Sequence, residues 1–303
     1  MGIDVSVIIV NYHTSVLIAD CVKSIIEKTE GITYEVIIID NNSEPDLETY
    51  ISEFIPNPLK NKFIFIRLPE NVGFGRANNE GIKIAKGRNI LFLNPDTLLV
   101  NNAFKILVDF MDSTPDAGAC GANILDENQN PSEGFWRIFP GIKNEFNALF
   151  SYKPAKIIFG KNLTYNHTDK PLKVAFIIGA DLMVKKSVVD KLNGFRPEFF
   201  MFSEETDLCL RIKRSGKNIY CVPQAKIIHL EGKSFGDKKF ESETRIKYME
   251  ESRRIYLKLN HNKITGIVAT ALNRLNLYVR MFIQSDKEKK AFYKRKIEIV
   301  ESL

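Results

Sequence analysis

Apolar and polar positions alternate in blocks along the first hundred residues. Val5–Val10 is an unbroken run rich in β-branched residues, the pattern of a strand buried on both faces. Residues 14–28 then repeat apolar side chains at helical spacing: Val16, Leu17, Ala19, Val22, Ile25 and Ile26. Tyr34–Asp40 reads as a second strand, and the polar turn Asn41–Pro45 leads to a short helix around 46–54. Lys62–Arg67 is a third strand, residues 74–86 a helix, and Asn89–Leu93 a fourth strand. Two-sided apolar strands alternating with helices predict an α/β fold. Its sheet is mostly parallel, with helices on both faces.

Beyond residue 100 the pattern predicts a helix at 102–112 and a strand at 117–123. Residues 125–172 mix Asn, Pro, Gly, Lys and aromatics with weak periodicity, as an inserted excursion would. Val174–Gly179 is strand-like. A helix at 185–192, an aromatic loop at 194–202 and a helix at 204–215 stopped by Gly216 follow. Asn218–Val222 and Lys226–His229 read as two short strands, and the chain is helical and basic from about 240, with a break at 260–262.

Composition narrows the class. In 303 residues, 44% hydrophobic and 26% charged side chains fit a globular chain and exclude wholesale disorder. The four cysteines, Cys21, Cys120, Cys209 and Cys221, form no CxxC pair, so they read as buried small hydrophobes in a reducing compartment. The N-terminus shows no basic region before its apolar run, and no stretch is apolar for about 18 residues. The expected location is therefore cytoplasmic. The net charge of +6 is uneven: residues 1–100 carry 9 basic and 13 acidic side chains, residues 231–303 carry 17 and 10. A basic tail suits nucleic acid, an anionic membrane or a solvated helix surface.

In parallel α/β sheets, ligands sit beyond the carboxyl ends of the strands. Here those ends are all polar: Asn11-Tyr12-His13, Asp40-Asn41-Asn42, then Asn71, Gly73 and Arg76, then Asn94-Pro95-Asp96. Asp96 at a strand tip can hold Mg²⁺ or Mn²⁺ against a diphosphate, although a cap or turn role is as common. No GxGxxG follows the first strand, which disfavours a dinucleotide oxidoreductase. Glu204, Glu205 and Asp207 open a helix directly after Phe199-Phe200-Met201-Phe202. A carboxylate beside an apolar wall and a second carboxylate gains proton affinity, which suits a general base. Neighbouring helical positions point about 100° apart, so one of Glu204 and Glu205 should face the pocket. His229 ends a strand before a glycine, where it could meet a metal or phosphate.

These motifs occur in an order that resembles family 2 inverting glycosyltransferases of the GT-A fold, in their bacterial rhamnosyltransferase-like branch. The match runs from Val5–Tyr12 through Ile39–Ser43, Asn71-x-Gly73-Phe74-x-x-Ala77-x-Asn79-x-Gly81 and Asn94-Pro95-Asp96. It continues through Gly179–Met183, Gly194-Phe195, Glu204–Arg211 and His229-x-x-Gly232-x-Ser234. The resemblance implies a catalytic domain over 1–235 and a helical, basic extension over 236–303. It implies donor contacts from Asn11, Asp40, Asn42, Asn71, Gly73, Arg76, Asn94 and Asp96. Asp96 and His229 would hold Mg²⁺ or Mn²⁺, and Glu205, with Glu204 beside it, would be the base. It further implies a nucleotide-diphosphate sugar donor, dTDP-rhamnose or a UDP-sugar. The acceptor would be a glycan or lipid-linked hydroxyl in cell-surface polysaccharide synthesis, with no nucleic-acid partner. Two departures stand out: Asn94 replaces an acidic residue common in the metal motif, and Glu205 stands where Asp is usual.

Two other readings compete. A nucleotidyltransferase should carry a Gly/Arg/Lys-rich phosphate loop after the first strand, and Asn11-Tyr12-His13-Thr14 is not one. A nucleotide-sugar-binding protein without transfer activity is favoured only by Glu at the base position. In the extension, Ile264, Ile267, Val268, Ala271, Leu272, Leu275, Tyr278, Val279 and Phe282 form one apolar helical stripe next to a lysine-rich segment. Such a stripe suits peripheral contact with the inner face of the cell membrane, packing on the catalytic domain, or a homodimer contact.

Overall fold

The structure is a computed structural model that describes residues 2–44, 47–230 and 242–303. The expected boundary at 235/236, with Gly232 and Ser234, lies outside these residues. β1 (Val5–Asn11) lies between β2 (Tyr34–Asp40) and β4 (Asn89–Leu93), and β3 (Phe63–Arg67) flanks β2, all four parallel. α1 (Ser15–Lys28), α2 (Leu47–Ser52) and α3 (Phe74–Ile84) make the crossovers between them. Every residue of β1 and β2 is buried, and alternate β1 positions feed different layers. Val5, Val7 and Ile9 pack with Ile18, Val22 and Ile25 of α1, and with Phe104 and Leu107 of α4 (Ala103–Ser113). Ile8 and Val10 pack with Ala77 of α3, and with Leu208 and Ile212 of α8 (Glu204–Arg214). Burying each such side chain is worth roughly 1.5–3 kcal/mol, so helices on both faces follow from the two-sided strands.

The far half of the sheet is mixed. β5 (Thr97–Leu99), β6 (Ala117–Leu125), β10 (Asp181–Lys185) and β11 (Asn218–His229) complete the order β3-β2-β1-β4-β10-β6-β11-β5, and β8 (Leu172–Val174) pairs with β11. β10 runs antiparallel to both β4 and β6. The strand expected at 174–179 is split: β8 joins the main sheet, whereas β9 (Phe176–Ile177) pairs with β7 (Phe135–Trp136). The two strands expected at 218–222 and 226–229 are one strand, with a register shift between Val222 and Lys226. Pro223 lies in that shift and has no N–H to give to a ladder. Residues 125–172 also hold α5 (Ile142–Leu149) and α6 (Lys153–Phe159), and α7 (Lys186–Lys191) follows β10.

α9 (Glu243–Asn260), α10 (Lys263–Ile283) and α11 (Lys287–Ser302) end the chain. Asn262 caps α10 by accepting from Thr265 N at 2.8 Å, and Asp286 caps α11 by accepting from Lys289 N at 3.0 Å. The second break, at 284–286, carries no glycine or proline. No helix among the described residues is long and apolar enough to cross a membrane.

All four cysteines are free and buried. Burial pushes the thiols of Cys21 and Cys209 up to about 12, and those of Cys120 and Cys221 well above the ordinary range. An aromatic disulfide reagent at about pH 8 is therefore expected to find no reactive thiol in the native protein. It should find all four after unfolding in guanidinium. A stoichiometric native reaction would contradict the burial.

Candidate active site

The tips of β1 and β2 are joined by one asparagine. Asn11 is fully buried, and its Nδ2 donates to Asp40 Oδ1 and to Ser43 Oγ, both at 3.0 Å. Its Oδ1 accepts from Thr14 N at 3.0 Å and from Thr14 Oγ1 at 2.8 Å. The Asn11 amide is thus used within the protein, and it aims Asp40. The other carboxylate oxygen of Asp40 is buried without a hydrogen-bond partner, 3.7 Å from Arg67 Nε. Asn42 occupies the left-handed region at φ 67° with its side chain exposed.

The 71–76 loop is braced from β2. Asn41 Nδ2 donates to Asn71 Oδ1 at 2.7 Å, Val72 N donates to Asn41 Oδ1 at 3.0 Å, and Gly73 N donates to Asn71 Oδ1 at 3.0 Å. Gly73 has φ 87°, and a Cβ there would run into the carbonyl oxygen of Phe200. The next amide, Phe74 N, donates to that same oxygen at 2.9 Å. Gly73 therefore lets the loop meet the aromatic segment before α8. Arg76 is exposed, and its Nε donates to Pro197 O at 2.8 Å.

The tip of β4 gathers the metal candidates. β5 pairs antiparallel with the end of β11, setting Thr97 opposite His229. That pairing places His229 Nε2 3.2 Å from Asp96 Oδ1, and Asn94 Nδ2 3.5 Å from the same imidazole nitrogen. Asp96 is 4% exposed. Among the described residues no group of three or more His, Cys, Asp or Glu converges as a metal site. One carboxylate with one imidazole makes a partial donor set. It suits an ion such as Mn²⁺ or Mg²⁺ whose remaining positions go to phosphate oxygens and water.

α8 begins with the acidic pair, and its two members differ. Glu204 is buried against Gly75 and Phe195, and its Oε2 has no hydrogen-bond partner. Burial and the neighbouring Glu205 raise its pKa well above the ordinary range. Glu205 keeps partial solvent contact and accepts from Thr206 Oγ1 at 3.1 Å. Its methylene chain lies beside Gly179 and its pKa is raised by burial. Gly179 connects the two ends of the site. Next to it, Ala180 O accepts from Asn94 N at 2.9 Å, so the backbone beside Glu205 is bonded to the segment that carries Asn94 and Asp96.

Asp207, the third carboxylate of the cluster, is structural. It accepts from Arg211 Nε at 2.7 Å, Arg196 at 3.0 Å and Asn260 Nδ2 at 2.8 Å, tying α8 to α9. α9 also reaches the aromatic segment: Ser252 Oγ donates to Met201 O at 2.6 Å, and the Tyr248 and Phe200 rings lie 5.1 Å apart. Sequence reasoning assigned no role to Asp181. It is fully buried at the start of β10, accepts from Ala122 N, and burial raises its pKa well above the carboxylate range. Only its neighbours in the Gly179-Ala180-Asp181 motif pointed towards it.

Comparison with known proteins gives the family and the fold. The chain is 27% identical over 206 residues to rhamnosyltransferase WbbL of Escherichia coli K12, covering 64% of this chain and 76% of that protein. It is 23% identical over 274 residues to dTDP-rhamnosyl transferase RfbF of Shigella flexneri, covering 86% and 83%. It also matches O-antigen biosynthesis protein RfbC of Myxococcus xanthus, at 23% over 232 residues, but spans only 16% of that longer protein. In architecture it is similar to GalNAc-T7, crystallised with UDP, GalNAc and Mn²⁺, with a TM-score of 0.59 at 17% identity. That likeness covers 99% of this chain and 54% of the GalNAc-T7 chain, and it shows a shared GT-A fold. Residues 6–192 match the model of glycosyl transferase family 2, and the chain belongs to that family.

Proposed function

We propose that the protein transfers a sugar, with inversion, from a nucleotide-diphosphate donor to a hydroxyl of a glycan or lipid-linked acceptor in cell-surface polysaccharide synthesis. The observation that carries this reading is the backbone link from beside Glu205 to the segment of the Asp96–His229 pair, through Gly179, Ala180 and Asn94. It supports reading Glu205 as a base that serves the same site as a diphosphate and its ion. The names of WbbL and RfbF favour a rhamnosyl donor, dTDP-rhamnose. The UDP and Mn²⁺ of GalNAc-T7 keep a UDP-sugar as the second candidate.

Glu205 takes the proton of the acceptor hydroxyl. The oxygen attacks the anomeric carbon opposite the diphosphate, and the bond to the diphosphate breaks with inversion. Asp96 and His229 would hold Mg²⁺ or Mn²⁺, which would offset the charge on the departing diphosphate. Asp40, aimed by Asn11, presents its buried oxygen to a donor hydroxyl. The loop of Asn71, Gly73 and Arg76 closes the donor side, with Asn42 at its solvent edge, and Asn94 positions His229.

A panel of nucleotide sugars tests this. With Mn²⁺ or Mg²⁺, dTDP-rhamnose or one UDP-sugar should raise the melting temperature, since ligand at a hundredfold over its Kd stabilises by about 2.7 kcal/mol. The same compound should be hydrolysed slowly without acceptor, releasing a sugar of inverted anomeric configuration. Retention of configuration, or no response to any nucleotide sugar, would refute the proposal.

A further inference from the structure

We propose that α5, α6 and α10 form a docking face for an anionic phospholipid bilayer, with the groove between α9 and α10 as its headgroup site. α10 buries Ala269, Asn276 and Leu277, and Arg280 donates to the α5 carbonyl of Ala148 at 3.4 Å. The apolar stripe expected from the sequence lies largely on the other side. Ile264, Ile267 and Phe282 are 74%, 60% and 71% exposed, with Val268 and Leu275 also exposed. These exposed members of the stripe are not packed on the catalytic domain, whereas Tyr278 packs against Ile297 and Val300 of α11. On α6, Ile157 and Ile158 are 85% and 73% exposed, and the half-exposed rings of Phe146 on α5 and Phe150 just after it lie 5.0 Å apart.

The charge around this apolar surface is predominantly positive, with Arg254 of the groove already paired with Glu250 at 2.8 Å. Residues 142–161 carry Lys143, Lys153, Lys156 and Lys161, and residues 261–285 carry Lys263, Arg274 and Arg280. Their one carboxylate, Glu145, is buried, 3.8 Å from Arg253. The groove holds about 730 Å³ over Leu257, Ile267 and Ala271, and Arg254, Lys258, Lys263 and Arg274 line it without any acidic residue. Apolar side chains that enter the acyl boundary beside cations that meet phosphate are the features of an interfacial surface. A two-fold contact with a second copy would set these cations against their own equivalents, which disfavours a dimer through this face.

Sedimentation of the full chain with vesicles decides. At low salt the protein should pellet with phosphatidylcholine vesicles containing phosphatidylglycerol, and remain in solution with phosphatidylcholine alone. The variant Lys258→Glu/Lys263→Glu/Arg274→Glu should bind at least about tenfold more weakly, as should Ile264→Ser/Ile267→Ser, which keeps the charges. Both variants change exposed or groove-lining positions, and nucleotide-sugar hydrolysis in solution should be unchanged. Absence of wild-type binding, or undiminished binding by both variants, would overturn the proposal. So would a concentration-dependent dimer abolished by Ile264→Ser/Ile267→Ser, which would assign the face to a second copy. Loss of hydrolysis by the wild type would count against sugar transfer and leave the vesicle result standing.

Discussion

Glu205→Gln is expected to bind donor almost as the wild type does and to lose turnover by about a hundredfold or more, the loss typical of a missing general base. The amide keeps the shape of the side chain beside Gly179 and keeps an oxygen for Thr206, so the start of α8 should not move. What it removes is proton affinity. Burial raises the Glu205 pKa above the ordinary value of 4.5, so the active, ionised form accumulates at higher pH than for a solvated carboxylate. Wild-type kcat/KM should thus rise with pH through a limb above that value, and the limb should be absent from Glu205→Gln.

Glu204→Gln serves as the counterpart. Its milder kinetic effect should come with a different signature, in stability. A buried carboxyl whose folded pKa is raised takes up a proton on folding once the unfolded group has ionised. Stability is then full below the unfolded value of 4.5 and falls as pH rises towards the raised folded value. The glutamine has no such slope, so its melting temperature should match or exceed that of the wild type at about pH 8, and lose that advantage near pH 4. If instead Glu204→Gln were the dead enzyme and Glu205→Gln the mild one, the base would be Glu204.

The contrast between these two residues marks a limit to what the sequence pattern encodes. The helix start and its acidic pair were visible, because aromatic residues before a charged helix make a distinctive pattern. Which glutamate met solvent depended on Gly75 and Phe195 packing against Glu204, and those neighbours come from distant parts of the chain. β1, β2 and β4 were legible because burial on both faces leaves continuous apolar runs. β10 was not: Asp181-Leu182-Met183-Val184-Lys185 has three apolar residues between charges, and it becomes a strand by lying between β4 and β6. β5 is three residues long and depends on pairing with β11. The apolar stripe of α10 is periodic in the sequence, but periodicity is the same for a face that is buried and one that is exposed. The face that packs inward is held by Ala269, Asn276 and Leu277, a smaller and more polar set than the stripe.

Asp96→Asn is expected to lower transfer by about a thousandfold or more, consistent with losing several kcal/mol of charge stabilisation on the leaving diphosphate. The substitution is nearly isosteric in a site where Asp96 is 4% exposed. The backbone bond from Leu230 N to Asp96 O, at 2.9 Å, does not depend on the side chain, so the pairing that delivers His229 should survive. The melting temperature without ligand should consequently stay near that of the wild type. The informative measurement is affinity for the free nucleoside diphosphate, UDP or dTDP, with and without Mn²⁺. In the wild type the ion should tighten binding, because Asp96 and His229 would hold it and its charge would attract the diphosphate. In Asp96→Asn that gain should vanish, while the metal-free affinity, which the proposed function assigns to Asp40 and the 71–76 loop, should remain. His229→Ala should remove part of the same gain, since the two groups stand 3.2 Å apart and would serve one ion. An Asp96→Asn protein that still bound nucleotide more tightly with Mn²⁺, to the same degree as the wild type, would exclude Asp96 as a ligand. The charge on the diphosphate would then have to be met by cations elsewhere in the site.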